Sequence, residues 1–264
     1  MPGGCLLPDP VTGANHYLMS WSIHTFANPT RFMALSGALL PYFWALAAAG
    51  IGVGLYLSFF SAPPDYQQGD SVRIMFVHVP AAWLSQFGYG IMVVSSLMAL
   101  IFRHPLADVS AKSAAPLGAV FTFLALVAGG LWGKPMWGAY WVWDARTTST
   151  LVLLFIYLGY MAVWATVEDP NRAARVAAVL ALIGAVNLPI IRFSVDWWNT
   201  LHQPASVFRL DGPTIHASLL WPLFVVAVGF TFFFLAVMMV RMRAEILRRK
   251  VRTLQLQQAG SRHG

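Results

Sequence analysis

Charged residues are sparse along this chain and fall in clusters, and the uncharged stretches between them set the architecture. Those stretches cover 32–64, 74–102, 113–133, 147–167, 176–191 and 212–240. A helix needs about 20 mostly apolar residues to cross the hydrocarbon core of a bilayer, so the pattern predicts six crossings, at roughly 38–60, 80–102, 114–131, 149–167, 175–191 and 217–240. Lipid offers nothing to pair with an irregular backbone, and the expected fold class is therefore all-α, a polytopic integral membrane protein. The fifth crossing is the shortest, because Arg175 and Arg192 enclose only 16 uncharged residues with Pro189 near their end; snorkelling arginines at both ends would rescue it. No internal repeat is visible, which gives an inverted-repeat transporter no support. Three parts are expected: an N-terminal arm over 1–37, a six-helix membrane domain over 38–240, and a basic tail over 241–264.

Composition agrees with a membrane location. The 264 residues are 58% hydrophobic and 10% charged, with 11 Trp and 18 Phe, far from the quarter of charged residues usual in soluble domains. A disordered chain, a nucleic-acid-binding domain and a secreted disulfide scaffold are excluded together. The single cysteine, Cys5, has no partner within the chain, so neither a disulfide framework nor dithiol redox chemistry is available. Met1–Thr30 lacks the basic start and apolar run of a secretory signal. An interfacial or disordered arm is expected there, with Met19 as an alternative start.

Of the 17 basic residues, seven lie after Met239, so the net charge of +7 belongs to a local tail rather than to a polyanion-binding domain. With six crossings both termini share a side, which carries 12 basic residues against five on the other. The positive-inside rule then places both termini in the cytoplasm. That orientation rests on the run Arg241–Arg252, whose simplest reading is a cytoplasmic extension of the last helix resting on anionic headgroups.

The three outward loops are then 61–79, 132–148 and 192–216. The middle one holds Trp132, Trp137, Trp141, Trp143 and Tyr140 within twelve residues, with Gly133, Pro135 and Gly138 expected to set its turns. Such a density of flat, polarisable surface beside Lys134 and Arg146 suits a large planar amphipathic ligand with acidic edges, and a porphyrin fits that description. Porphyrin iron needs axial ligands, for which neutral histidine is common. His16, His24, His104 and His263 fall on the inward side and are read as solvated surface residues; His216, at the outer start of the sixth crossing, stays open as a ligand, with a capping or interfacial role favoured. His78, before Val79-Pro80 at the mouth of the second crossing, and His202, beside Trp197-Trp198-Asn199 in the third loop, form a pair flanking the Trp-rich segment.

The segment from Trp132 to Arg146 resembles the tryptophan-rich WWD signature, WGxxWxWD, of haem-handling membrane proteins. Asp65-Tyr-Gln-Gln-Gly69, His78-Val-Pro-Ala-Ala82, Pro116 to Phe123, Asn187-Leu-Pro-Ile-Ile and Trp197 to Gln203 extend the likeness from about Ala38 to Met242, and together they are similar to the haem exporter protein C family, CcmC, of system I cytochrome c maturation. Tyr140 departs from the Trp expected in close relatives. The resemblance implies a multi-pass protein of the bacterial inner membrane that binds haem b at the periplasmic face and presents it to the haem chaperone CcmE. It implies partnership with the ATP-binding cassette subunits CcmA and CcmB and the small membrane protein CcmD, as a non-ATPase subunit, with no nucleic-acid partner beside the lipid bilayer. It makes His78 and His202 the axial ligands, and Trp132, Trp137, Gly138, Tyr140, Trp141 and Trp143 the haem-binding loop, with Asp144 and Arg146 positioning that loop or a partner. Further candidates for haem or partner contact are Arg73, Trp83, Lys134, Trp197, Trp198 and Asn199.

Two alternatives remain at this point. A haem lyase of the CcsA or CcmF kind is disfavoured because CcmF-like chains are much longer and CcsA-like ones continue the motif as Trp-Asp-Pro-Lys-Glu, where this chain has Asp144-Ala145-Arg146. A transporter of haem or another small molecule should carry polar residues within its spans, and Asn187 is the main candidate. Topology is open to a direct test. In a Cys5→Ser background, cysteines replacing Ser71, Ala139 and Ser206 should react with an impermeant maleimide on intact spheroplasts, and one replacing Ser110 or Ser261 only after lysis. Labelling of Ala139 and Ser261 positions from one side would refute the six-crossing count.

Overall fold

The computed structural model describes residues 28–204, 206–207 and 209–261. Residues 1–27 of the expected N-terminal arm, the start site, His16, His24 and His263 lie outside them, whereas 29–37 of that arm are helical and belong to α1. Among the described residues the regular structure is helical, with one isolated bridge between Asp65 and Gly69. The helices are α1 (Pro29–Tyr56), α2 (Met75–Phe102), α3 (Ala107–Trp137), α4 (Ala145–Thr166), α5 (Pro170–Gly184), α6 (Asn187–Trp197) and α7 (Ala217–Ser261). A π-helical turn, Leu57–Ser61, continues α1, and a 3₁₀ turn, Asp70–Ile74, leads into α2. Six spans among the described residues are long and apolar enough to cross a bilayer, the fifth being Pro170–Trp197.

The helices overrun the predicted spans because capping signals lie outside the uncharged runs. Asn28 accepts the Thr30 N–H at 2.9 Å with Pro29 in the first turn, starting α1 well before position 38. Asp169 with Pro170 does the same for α5, Asp169 Oδ1 lying 2.8 Å from the Asn171 N–H. The fifth span is broken rather than merely short. Ala185, Val186 and Leu188 each donate to the carbonyl three residues back, since Pro189 has no N–H and its ring would meet the Ala185 carbonyl in an unbroken helix. Asn187, at the break, donates from Nδ2 to the Ser149 carbonyl at 2.9 Å and so joins α6 to α4.

Packing between spans relies on small residues and on hydroxyls that find backbone partners. Gly50 and Gly54 of α1 meet α7 so closely that a Cβ on either would come within 2.7 Å of the Gly229 or Val226 Cα. Without a hydrophobic driving force between helices in lipid, this close approach is what supplies the van der Waals contact. In the centre, Tyr89 and Tyr157 are wholly buried; their hydroxyls donate to the Ala181 carbonyl at 2.9 Å and the Ser85 carbonyl at 2.7 Å. Gly118 lies beneath the Tyr157 ring and Gly184 beneath the Tyr89 hydroxyl. Seryl and threonyl hydroxyls within the spans mostly bond the preceding turn, as Thr122 does to Gly118 at 2.6 Å.

The basic tail extends the last helix: α7 runs unbroken for 45 residues, about 67 Å at 1.5 Å per residue, and several of its charges are held by the bundle. Glu245, buried, accepts Lys112 Nζ at 2.8 Å and Arg249 Nε at 3.2 Å, and Arg249 also reaches Asp108 at 2.6 Å. Arg241 donates to the Ser113 carbonyl at 3.2 Å and Arg243 to Ser36 Oγ at 2.9 Å. A single Glu within the arginine run clamps this part of α7 to α3. Because Lys112 is near the start of α3 and Trp137 is its last residue, this clamp and the Trp-rich segment occupy opposite ends of the bundle.

The α1–α7 crossing is testable. Gly54→Leu should lower resistance to heating in detergent by about 1–3 kcal/mol, the usual penalty for an overpacked contact. Gly52→Leu, at a glycine with open space around its Cβ position, should leave the midpoint unchanged.

Candidate functional site

Four helix ends converge where the sequence places its candidate residues: the start of α2, the end of α3, the start of α4 and the end of α6. Trp132 to Trp137 belong to the last turns of α3 and not to a loop, so Gly133 and Pro135 are helical and only Gly138 makes the turn, at φ +77°. The turn closes with the Gly138 N–H on the Lys134 carbonyl at 3.0 Å, and Lys134 Nζ returns to the Gly138 carbonyl at 3.0 Å. The chain then folds back along α3. Gly130 and Gly133 make room, since a Cβ at Gly130 would approach the Tyr140 carbonyl oxygen to 2.9 Å and one at Gly133 would approach the Ala139 oxygen to 3.2 Å.

Each histidine is fixed through Nδ1. His78 Nδ1 lies 3.0 Å from the Ala125 carbonyl oxygen. A carbonyl can only accept, so Nδ1 carries the proton and Nε2 keeps its lone pair. His202 Nδ1 lies 2.7 Å from Asp144 Oδ2, with side chains 19% and 5% exposed. Burial lowers the His202 pKa more than the Asp144 bond raises it. Burial alone would raise that of Asp144, yet the Thr147 N–H and His202 together hold it below the ordinary carboxylate value. Near neutral pH the pair is therefore neutral imidazole and carboxylate, with Nε2 of His202 also bearing a lone pair. Arg146 acts electrostatically on both imidazoles and His202 on His78.

The tryptophans divide between two tasks. Trp132 packs edge-on against His78 with centroids 5.7 Å apart, and Trp137 against His202 at 4.8 Å. Trp141 and Trp143 contact each other at 5.2 Å; Trp143 is 75% exposed, whereas the Trp141 indole N–H is buried without a partner among the described residues. An unpaired buried donor in a site of this kind is a place for a ligand acceptor. Tyr140 stands exposed under the Lys134 ammonium, 5.3 Å from its ring. Asp144 has a second duty as the N-cap of α4, Oδ1 accepting the Thr147 N–H at 2.8 Å. Arg146 reaches Ser194 Oγ and the Ile191 and Arg192 carbonyls of α6, each at 3.4 Å.

The remaining candidates lie around this core. Trp197 and Trp198, both exposed, contact each other at 5.8 Å, and Trp197 stacks on Phe193 at 5.4 Å; Asn199 is exposed beside them. Trp83 is stacked on Phe87 at 5.6 Å on the outer face of α2. Arg73 is committed to backbone, donating to the Ser58 and Phe59 carbonyls at 2.9 and 2.6 Å, where it terminates the π turn. His216 bonds Ser218 Oγ at 2.8 Å and its N–H at 3.3 Å, the capping role expected of it.

Three contributors escaped sequence reading. Gln68 Oε1 accepts the Trp132 indole N–H at 2.9 Å across 64 positions. Gly129 lies against the His78 ring, where a Cβ would stand 2.9 Å from Cε1. The third is the Ala125 carbonyl. The only signal available was the pair Gly129-Gly130 inside an apolar span, which marks a close approach without saying what approaches.

The fold and site together define a polytopic helical membrane protein that displays two imidazoles, each braced through Nδ1, among tryptophans at one end of its bundle. A family model described as Heme exporter protein C matches residues 22–257. Heme exporter protein C of Bradyrhizobium diazoefficiens is 60% identical over 88% of this chain and 88% of its own length, and that of Escherichia coli K12 is 44% identical over 86% of this chain and 91% of its own. A putative cytochrome c biosynthesis ccmC-like mitochondrial protein of Marchantia polymorpha is 49% identical over 74% and 80% respectively. The chain belongs to the Heme exporter protein C family.

If Gly129 is what seats His78, Gly129→Ala should push the ring off the Ala125 carbonyl. His78 should then be modified faster by diethylpyrocarbonate, by roughly tenfold for about 1.4 kcal/mol of lost seating, as mapped by mass spectrometry. Gly90→Ala, where the added methyl meets nothing, should leave the rate unchanged.

Proposed function

We propose that this protein binds haem b as cargo at the histidine end of the bundle and presents it to the haem chaperone CcmE in the biogenesis of c-type cytochromes. The observation that carries the reading is the pair His78 and His202, set on separate elements of one site, each using Nδ1 for support and leaving Nε2 for iron. Trp132 and Trp137 hold the imidazoles, Trp141 offers a buried N–H to an acidic edge of the macrocycle, and exposed Trp143 and Tyr140 supply an amphipathic surface open to lipid, water or an acceptor. Kinship with proteins named for haem export and for cytochrome c biosynthesis supports the cargo.

In this reading the site lies at the periplasmic face of the bacterial inner membrane and the clamped end of α7 lies in the cytoplasm, beside CcmA, CcmB and CcmD. We take 38–240 as the membrane domain and 241–264 as the tail, with α1 beginning earlier, at Pro29, and α7 running on through the tail to Ser261. Asn187, the main polar group that would have favoured a midplane transport site, is already engaged by the Ser149 carbonyl, which supports presentation at an end over passage through the middle.

Protein purified in detergent from haem-replete cells should carry low-spin, six-coordinate b-type haem with a sharp α-band on reduction. Replacing both histidines with Ala should abolish the spectrum. Either one replaced by Gly should leave a site that added imidazole refills. A spectrum indifferent to both histidines would refute the reading.

A further inference from the structure

The supports of the two histidines are chemically unequal. His202 donates its Nδ1–H to a carboxylate at 2.7 Å and His78 to a peptide carbonyl at 3.0 Å. The carboxylate is built to stay charged and still: Asp144 is buried, its second oxygen is held by the Thr147 N–H at 2.8 Å, and it caps the N-terminus of α4, where the helix dipole favours an anion. An imidazole N–H shared with an anion pushes electron density toward the opposite nitrogen and makes it a stronger donor. A carbonyl does so far less. The carrying elements differ as well. His202 sits in the connection between α6 and α7, where its own N–H bonds Thr200 Oγ1 at 2.8 Å, and Asp144 ties that connection to a helix. His78 is part of α2, wedged between Gly129 and Trp132.

Resting on the haem-presentation reading above, we propose that Asp144 is a positioning residue that makes His202 the stronger of the two iron ligands and His78 the one that yields when haem leaves. The bond that opens first is then iron to His78 Nε2, its electron pair returning to the imidazole. The vacated position takes a donor from the acceptor while His202 still holds the other face. Two equal ligands would give no defined order of release; a carboxylate on one and a carbonyl on the other does.

The test uses full-length protein purified with haem. His78→Gly retains His202 and its carboxylate, and His202→Gly retains His78 and its carbonyl. In the reduced, five-coordinate forms, resonance Raman should show a higher iron–histidine stretching frequency for His78→Gly than for His202→Gly. Adding Asp144→Asn to His78→Gly should bring the frequency down to the level of His202→Gly. Asn caps helices about as well as Asp, so α4 keeps its start while the charge is lost. In the otherwise native chain, Asp144→Asn should also raise the reduction potential of the haem, which a merely structural role would not do. Equal frequencies in the two glycine variants would overturn the asymmetry and leave the haem-binding reading standing. A six-coordinate spectrum unaffected by either glycine would overturn both. Should Asp144→Asn lose its haem, the comparison of the two glycine variants decides alone.

Discussion

Hydrocarbon has no hydrogen-bonding groups, and every polar atom of a chain immersed in it must find its partner within the protein. The spans here meet most of that condition inside themselves, with Ser96 Oγ and the Trp164 indole N–H as exceptions among the described residues: hydroxyls return to the preceding turn, Tyr89 and Tyr157 reach carbonyls of neighbouring helices, and Asn187 at the break in the fifth span finds the Ser149 carbonyl. Little polar capacity is left over in the interior. Chemistry is therefore confined to the ends of the bundle, where water and backbone irregularity are tolerated.

Those two ends are built on opposite principles. At one, acidic and basic side chains cancel: Glu245 collects Lys112, Arg248 and Arg249, and Asp108 takes a second contact from Arg249. A carboxylate buried against several cations contributes mainly by fixing geometry, since its desolvation offsets much of the attraction, and the geometry fixed is the unbroken passage of α7 past α3. At the other end the polar groups hold one another's orientation and leave specific atoms open. Asp144 spends one oxygen on the cap of α4 and the other on His202; Gln68 fixes Trp132, which braces His78. What remains available is two imidazole nitrogens and one indole N–H.

Glycine does unusual work in this arrangement. Along the last turns of α3, Gly129 admits the His78 ring while Gly130 and Gly133 admit the returning backbone. Larger residues would move α2 and the Trp-rich segment away from α3 and separate the two imidazoles. The same device, Gly50 and Gly54 against Gly229 and Val226, attaches α1 to α7.

The number of spans and the all-helical class were legible in the sequence, because each depends on local composition, an uncharged run long enough to cross lipid; the Trp-rich segment stood out as a candidate site by its density of a rare residue type. Span ends were less legible, since Asn28 and Asp169 act through caps that a search for uncharged runs passes over. What only the tertiary structure decided is every relation between distant positions. That Trp132 donates to Gln68, that Asp144 bonds His202, and that Glu245 holds Lys112 are contacts spanning 64, 58 and 133 positions. Hydrophobic periodicity sets which face of a helix turns inward but is silent on rotation and depth relative to its neighbours. Those are settled by where glycines let two surfaces touch and by which buried polar atom has no other partner to choose.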